Sequence, residues 1–103
     1  MNIDIDINSI TKEDFKNHEL VDIREQEELD NWPSLIACPH VPMSQFPNNK
    51  DFFDKNKSYL LFCAKGGRSH YLADILTKEG YKAASINNGI SSVNAYLETN
   101  DVA

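Results

Sequence analysis

Cys63 ends the apolar run "SYLLFC", and Ala64, Lys65, Gly66, Gly67, Arg68 and Ser69 follow it. A cysteine does chemistry as its thiolate, and cations or a helix N-terminus lower the thiol pKa. Gly66 and Gly67 let the backbone take positive φ and approach a bound atom closely. A turn leading from a strand into a helix aims successive N–H groups inward, and the helix start adds partial positive charge. Lys65 and Arg68 bring full charges. These residue types at this spacing describe an activated cysteine in a small anion cradle.

Such a loop needs a strand before it and a helix after it. "SYLLFC" is apolar on both faces, the pattern of a central strand in a parallel sheet. The helix is expected to be capped by Ser69, with Leu72, Ile75 and Leu76 on one stripe and Gly80 just past its end. Upstream, "IDIDI" alternates apolar and acidic residues and reads as a short strand. Thr11 to Asp14 form a capping box for a helix running to about Asn17. "ELVDI" is a strand, "REQEELDNW" a short helix ended by Pro33, and "LIAC" before Pro39 another brief strand. Residues 44–57 read as a loop with one helical turn, "KAASI" as a final strand and "ISSVNAYLE" as a final helix. Strands alternating with helices over residues 1–103 predict one α/β domain. Its mostly parallel central sheet would have about five strands, with helices on both faces. In such sheets ligands bind at the carboxyl ends of the strands, where Cys63 stands.

A chain of 103 residues suits one domain. Its net charge of −6 argues against nucleic acid and anionic membranes as partners, so any anion site must build its own local field. No apolar run is long enough to span a bilayer. The opening "MNIDIDINSITKED" lacks the basic and apolar regions of a signal peptide. Two cysteines are too few to staple a secreted scaffold, so a cytoplasmic protein with reduced thiols is expected. With those and three scattered histidines there is no zinc-ligand spacing; neither a metal nor a cofactor is expected.

Two enzyme classes place a cysteine in such a loop. Cysteine-dependent phosphatases read His-Cys, five residues, Arg. Here Phe62 precedes Cys63, and only Ala64 to Gly67 separate it from Arg68. A tighter ring of N–H groups suits a terminal sulfur better than a tetrahedral phosphoryl group. The chain more closely resembles the single-domain rhodanese-like sulfurtransferase family. "LVDIREQEEL" is similar to that family's early Asp-Val-Arg motif, at Asp22, Ile23 and Arg24. "CAKGGRS" is similar to its loop Cys-x-x-Gly-x-Arg-Ser, and "INNGISSVNAY" to its closing Gly-Gly turn and last helix. The family's Gly-His-Ile-Pro-Gly-Ala stretch is replaced by "PSLIACPHVPM", with Ser34 where the histidine would lie.

The resemblance implies a rhodanese-like fold and thiosulfate sulfurtransferase activity. Cys63 would take the sulfane sulfur as a persulfide and pass it to a thiol, to cyanide or to a partner protein. Backbone N–H groups of Ala64, Lys65, Gly66, Gly67, Arg68 and Ser69 would hold the terminal sulfur. Arg68 would bind the sulfonate, Lys65 would draw it in, and an Asp22–Arg24 ion pair would support the site. Two alternatives stay open. One is a sulfur-relay or adaptor module that acts on a partner protein with little free thiosulfate turnover. The other is a cysteine-dependent phosphatase or arsenate reductase. Cys38, in an apolar run before proline, is read as structural, and "REQEELD" as a solvated helix face.

Overall fold

In the computed structural model, which describes residues 3–35 and 37–99, the run before Cys63 forms β3 (Ser58–Phe62). It lies between β2 (Glu19–Asp22) and β4 (Lys82–Ile86), and β1 (Asp4–Ile5) flanks β4. All pairs are parallel, in the order β1-β4-β3-β2. A strand sends successive side chains to opposite faces. Tyr59, Leu61 and Cys63 therefore join one core, with Val21 and Ile23 and with Leu72, Ala73 and Leu76 of α3 (Gly67–Lys78). Leu60 and Phe62 join the other, with Phe15 of α1 (Lys12–Asn17) and Ile90, Val93 and Tyr96 of α4 (Gly89–Thr99). Because helices cover both faces, β3 can be apolar throughout. Each fully buried Leu or Phe contributes about 1.5–3 kcal/mol.

Local chemistry sets the element ends. Thr11 Oγ1 accepts the Asp14 N–H at 3.0 Å and opens α1. β1 is shorter than the alternating run because Asp6 turns the chain. Its carboxylate accepts the Asn8 N–H at 2.9 Å, capping a 3-10 turn over Ile7–Ser9 that drops Ile7 into the core. Two such turns, Met43–Gln45 and Lys50–Phe52, replace the single one expected between β2 and β3.

Among the described residues, the expected strand "LIAC" contributes nothing to the sheet. Ile36 lies outside the described residues, and Leu35, Ala37 and Cys38 belong to no element. Among the described residues, the pairing here is one bridge between Asp22 and His40. Asp22 N–H donates to Pro39 O at 3.0 Å, and Val41 N–H donates to Asp22 O at 2.9 Å. Pro39 has no N–H to return, so no ladder propagates through it. The sheet has four strands among the described residues, rather than about five.

Candidate active site

Cys63 follows β3 directly, at the carboxyl end of the sheet, and is only 1% exposed. Gly66 has φ of 110°, a left-handed conformation that only glycine takes without strain, and it caps α3. The turn brings the Gly66 N–H to 3.1 Å from Cys63 Sγ and Ser69 Oγ to 3.5 Å from it. Ser69 is thus not the helix cap that its residue type suggests. The left-handed Gly66 starts the helix earlier, which carries Ser69 into the first turn, fully buried and facing the sulfur. Gly67 differs from Gly66: a Cβ there would meet nothing within 4 Å.

Burial is the largest single influence on the Cys63 thiol and raises its pKa. The Ser69 hydroxyl and the N–H groups of Ser69, Gly66 and Lys65 together outweigh it, so the net shift is downward. Cys38 shows the opposite balance. Burial, then the Asp22 charge, push its pKa up to about 11. Both cysteines are free thiols, and only Cys63 has a surrounding that favours ionisation.

The start of α4 rests on the loop from the other side. Ile90 N–H donates to Cys63 O at 2.9 Å. Asn88 and Gly89 both take left-handed φ, 63° and 56°, where the sequence pattern placed the closing turn. Gly89 packs so closely that a Cβ on it would lie 2.1 Å from Cys63 O.

Arg68 faces a partner that the sequence reading missed. Its Nη1 and Nη2 donate to Glu28 Oε1 and Oε2, each at 2.7 Å, in a two-pronged ion pair. Glu28 also accepts the Glu25 N–H at 3.0 Å, at the start of α2 (Gln26–Asn31). The acidic run is therefore not wholly a solvated face. The Arg68 hydrogen bond is the main reason that the Glu28 carboxyl is held at about 2. A depressed carboxyl pKa stabilises the fold above its ordinary value of 4.5, and that stabilisation is lost as pH falls through about 2. The pair is about a third exposed, so solvent screening keeps its worth small. Glu28→Gln is expected to lower Tm at pH 7 by about 2–5 °C, and thermal melts should show that gap closing as pH falls from 4.5 towards 2. A gap independent of pH would mean that the Glu28 charge is not the cause.

Asp22 and Arg24 form a buried ion pair, with Nη2 to Oδ2 at 2.8 Å and exposures of 2% and 1%. Arg24 Nη1 donates to Trp32 O at 2.8 Å, beyond the last turn of α2. An intact buried pair is close to neutral in stability, but removing one partner costs about 3–5 kcal/mol. The pair holds α2 against the end of β2, and α2 in turn presents Glu28 to Arg68.

A family profile described as "Rhodanese-like domain" matches residues 8–96. The chain belongs to the rhodanese-like family. The rhodanese-like chain is 30% identical over 71 residues to YtwF of Bacillus subtilis (strain 168), whose name provisionally assigns it as a sulfurtransferase. That match covers 69% of this chain and 68% of YtwF. It is 32% identical over 72 residues to a tRNA sulfurtransferase of Haemophilus ducreyi, covering 67% of this chain and 15% of that much longer protein. A crystal structure of a rhodanese-like domain protein from Staphylococcus aureus superposes with a TM-score of 0.67 at 30% identity, covering 81% of this chain and 87% of that one. Beside the active loop runs an open groove of about 570 Å³, with Ala64 and Lys65 on one wall and Trp32 and Ser92 among its other residues. Among the described residues no helix is long and apolar enough to cross a membrane.

Proposed function

We propose that this rhodanese-like sulfurtransferase takes sulfane sulfur from thiosulfate as a Cys63 persulfide and hands it to a thiophilic acceptor. The observation that carries this reading is the convergence on Cys63 Sγ of the Gly66 N–H at 3.1 Å and Ser69 Oγ at 3.5 Å. In the first step the Cys63 thiolate attacks the outer sulfur of thiosulfate. The S–S bond of thiosulfate breaks, sulfite leaves with its electron pair, and Cys63-S-S⁻ remains. In the second step an acceptor thiolate or cyanide attacks the terminal sulfur, and Cys63 leaves as thiolate. The terminal sulfur lies about 2 Å beyond Sγ. Donors aimed at such a developing charge are each worth about 3 kcal/mol in catalysis.

Lys65, exposed at the rim, and Arg68 supply positive charge for the donor's sulfonate. The Arg68 fork is closed on Glu28, so the sulfonate would meet its remaining N–H groups or take the place of that carboxylate. The near-complete burial of Cys63 suits a small donor that presents a terminal sulfur. Asp22 and Arg24 act by positioning α2. No metal or cofactor enters this reaction, and we place it in the reducing cytoplasm, where the thiol persists between turnovers. A relay role is the second reading. It is favoured by the similarity to one region of a much longer protein named tRNA sulfurtransferase; in this reading the Cys63 persulfide of this chain passes to a protein acceptor.

Intact mass spectrometry tests the proposal. Incubation with thiosulfate is expected to add one sulfur to the protein, and cyanide to remove it. A protein that takes no sulfur from thiosulfate but accepts it from a protein persulfide is a relay module. Hydrolysis of an aryl phosphate above background, without sulfur loading, would overturn both readings in favour of the phosphatase.

A further inference from the structure

We infer that Ser85, on β4, is a positioning residue that directs the Ser69 hydroxyl and thereby stabilises Cys63 as thiolate. The inference rests on the proposal that Cys63 carries the sulfur, and it names a residue outside the loop that serves it. Register explains the placement. Ser85 pairs with Leu61 across the parallel ladder, and Leu61 faces the α3 side of the sheet. Ser85 therefore points at the first turn of α3, where it meets Ser69 with 2.6 Å between the two Oγ atoms. Both serines are fully buried, so no solvent competes for their hydrogens.

The hydrogens can be counted. Each serine owns one hydroxyl hydrogen. Gly66 O lies 3.2 Å from Ser69 Oγ and 3.4 Å from Ser85 Oγ, and it already accepts the His70 N–H at 3.0 Å. With Cys63 as thiol, one chain satisfies every group: S–H to Ser69, Ser69 to Ser85, Ser85 to Gly66 O. With Cys63 as thiolate the chain reverses: Ser85 donates to Ser69, and Ser69 donates to Sγ. Gly66 O then keeps the His70 N–H. The thiol proton leaves to solvent, and the two hydroxyls rotate without breaking an O–H bond.

Removing the Ser85 hydroxyl affects the two states unequally. In the thiol state, Ser69 can still accept from S–H and donate to Gly66 O. In the thiolate state one buried hydroxyl acceptor is unfilled either way, that of Ser85 in the parent and that of Ser69 in the variant; what the variant loses is the donor behind Ser69 that polarises its bond to sulfur. The cost falls on the thiolate. The charged and titratable groups around it stay in place: Lys65, Arg68 with Glu28 of α2, His70 with Asp4 of β1, and Asp22 with Arg24 at β2. From α4 the Ile90 N–H donates to Cys63 O, and Ser91 and Ser92 line the groove beside Ala64 and Lys65.

The test measures the pH dependence of Cys63 alkylation by iodoacetamide, read by intact mass in a Cys38→Ser background. Ser85→Ala is expected to raise the midpoint by about half a pH unit. Ser85→Thr keeps a hydroxyl and should return the midpoint towards that of the parent. Ser85→Val has the shape of threonine without the donor and should not. An unmoved midpoint in the Ala and Val variants overturns the inference, whatever happens to Tm. Equal midpoints for Thr and Val overturn it too, and that pair carries the test if the Ala variant folds poorly. A shifted midpoint in a protein that takes no sulfur from thiosulfate keeps the inference and removes the donor; sulfur loading with no shift does the reverse.

Discussion

Cys63→Ser is expected to abolish both the gain of sulfur from thiosulfate and its release to cyanide, while Cys38→Ser keeps both near wild type. The reason is the nucleophile. A serine hydroxyl is not ionised near neutral pH, and the loop that stabilises a thiolate cannot make an alkoxide. The loss should be at least a thousandfold in rate, about 4 kcal/mol of barrier. Cys38 cannot substitute for it. With a pKa pushed up to about 11, roughly one Cys38 in ten thousand is thiolate at pH 7. Its neighbours raise the pKa further through the Asp22 charge, whereas Cys63 has Gly66 N–H and Ser69 Oγ against its sulfur. Intact mass and peptide mapping of the loaded proteins decide the matter. Sulfur found on Cys38 in wild type, or retained in Cys63→Ser, would overturn the assignment.

What could be read from the residues, and what could not, follows from how far each signal reaches. The central strand and its loop were legible because β3 is buried on both faces and its apolar run is unbroken. Thr11 was legible as a cap because a cap acts within one turn. Ser69 misled for the same reason. A serine ahead of a helical stripe is a local capping signal, but the left-handed Gly66 starts the helix first and leaves Ser69 free to face the sulfur. "LIAC" misled because apolar content marks a strand while Pro39 prevents the ladder. Glu28 and Ser85 lay beyond local reading. Glu28 meets Arg68 from 40 residues away, and Ser85 meets Ser69 only through the parallel register of β3 and β4. The family resemblance placed the loop and the closing turn, but it does not name the carboxylate behind the arginine or the hydroxyl behind the serine.

Gly89→Ala is expected to destabilise the protein by about 3 kcal/mol or more and to cut sulfur loading at least tenfold per folded molecule. Backbone strain alone does not require this. Gly89 has φ of 56°, but neighbouring Asn88 holds 63° with a side chain, and such a residue costs only about 1–2 kcal/mol. Contact decides. The new Cβ would lie 2.1 Å from Cys63 O and 2.6 Å from the C and O atoms of Ala64. These are main-chain atoms and cannot swing aside as a lysine tip could. If α4 retreats, the Ile90 N–H bond to Cys63 O, now 2.9 Å, is lost and the loop loses its outer wall. If the Cys63–Ala64 peptide rotates instead, the sulfur moves away from the Gly66 N–H that now lies 3.1 Å from it. The second route takes a donor from the sulfur and so raises the Cys63 pKa, and either route misplaces the persulfide. Gly67→Ala is the control, because a Cβ there meets nothing within 4 Å; it should stay within about 0.5 kcal/mol of wild type. Denaturant unfolding and loading by intact mass compare the two variants. If Gly89→Ala proves as stable and as active as Gly67→Ala, then α4 does not rest against the loop, and the sulfur is held without the support of the Asn88–Gly89 turn.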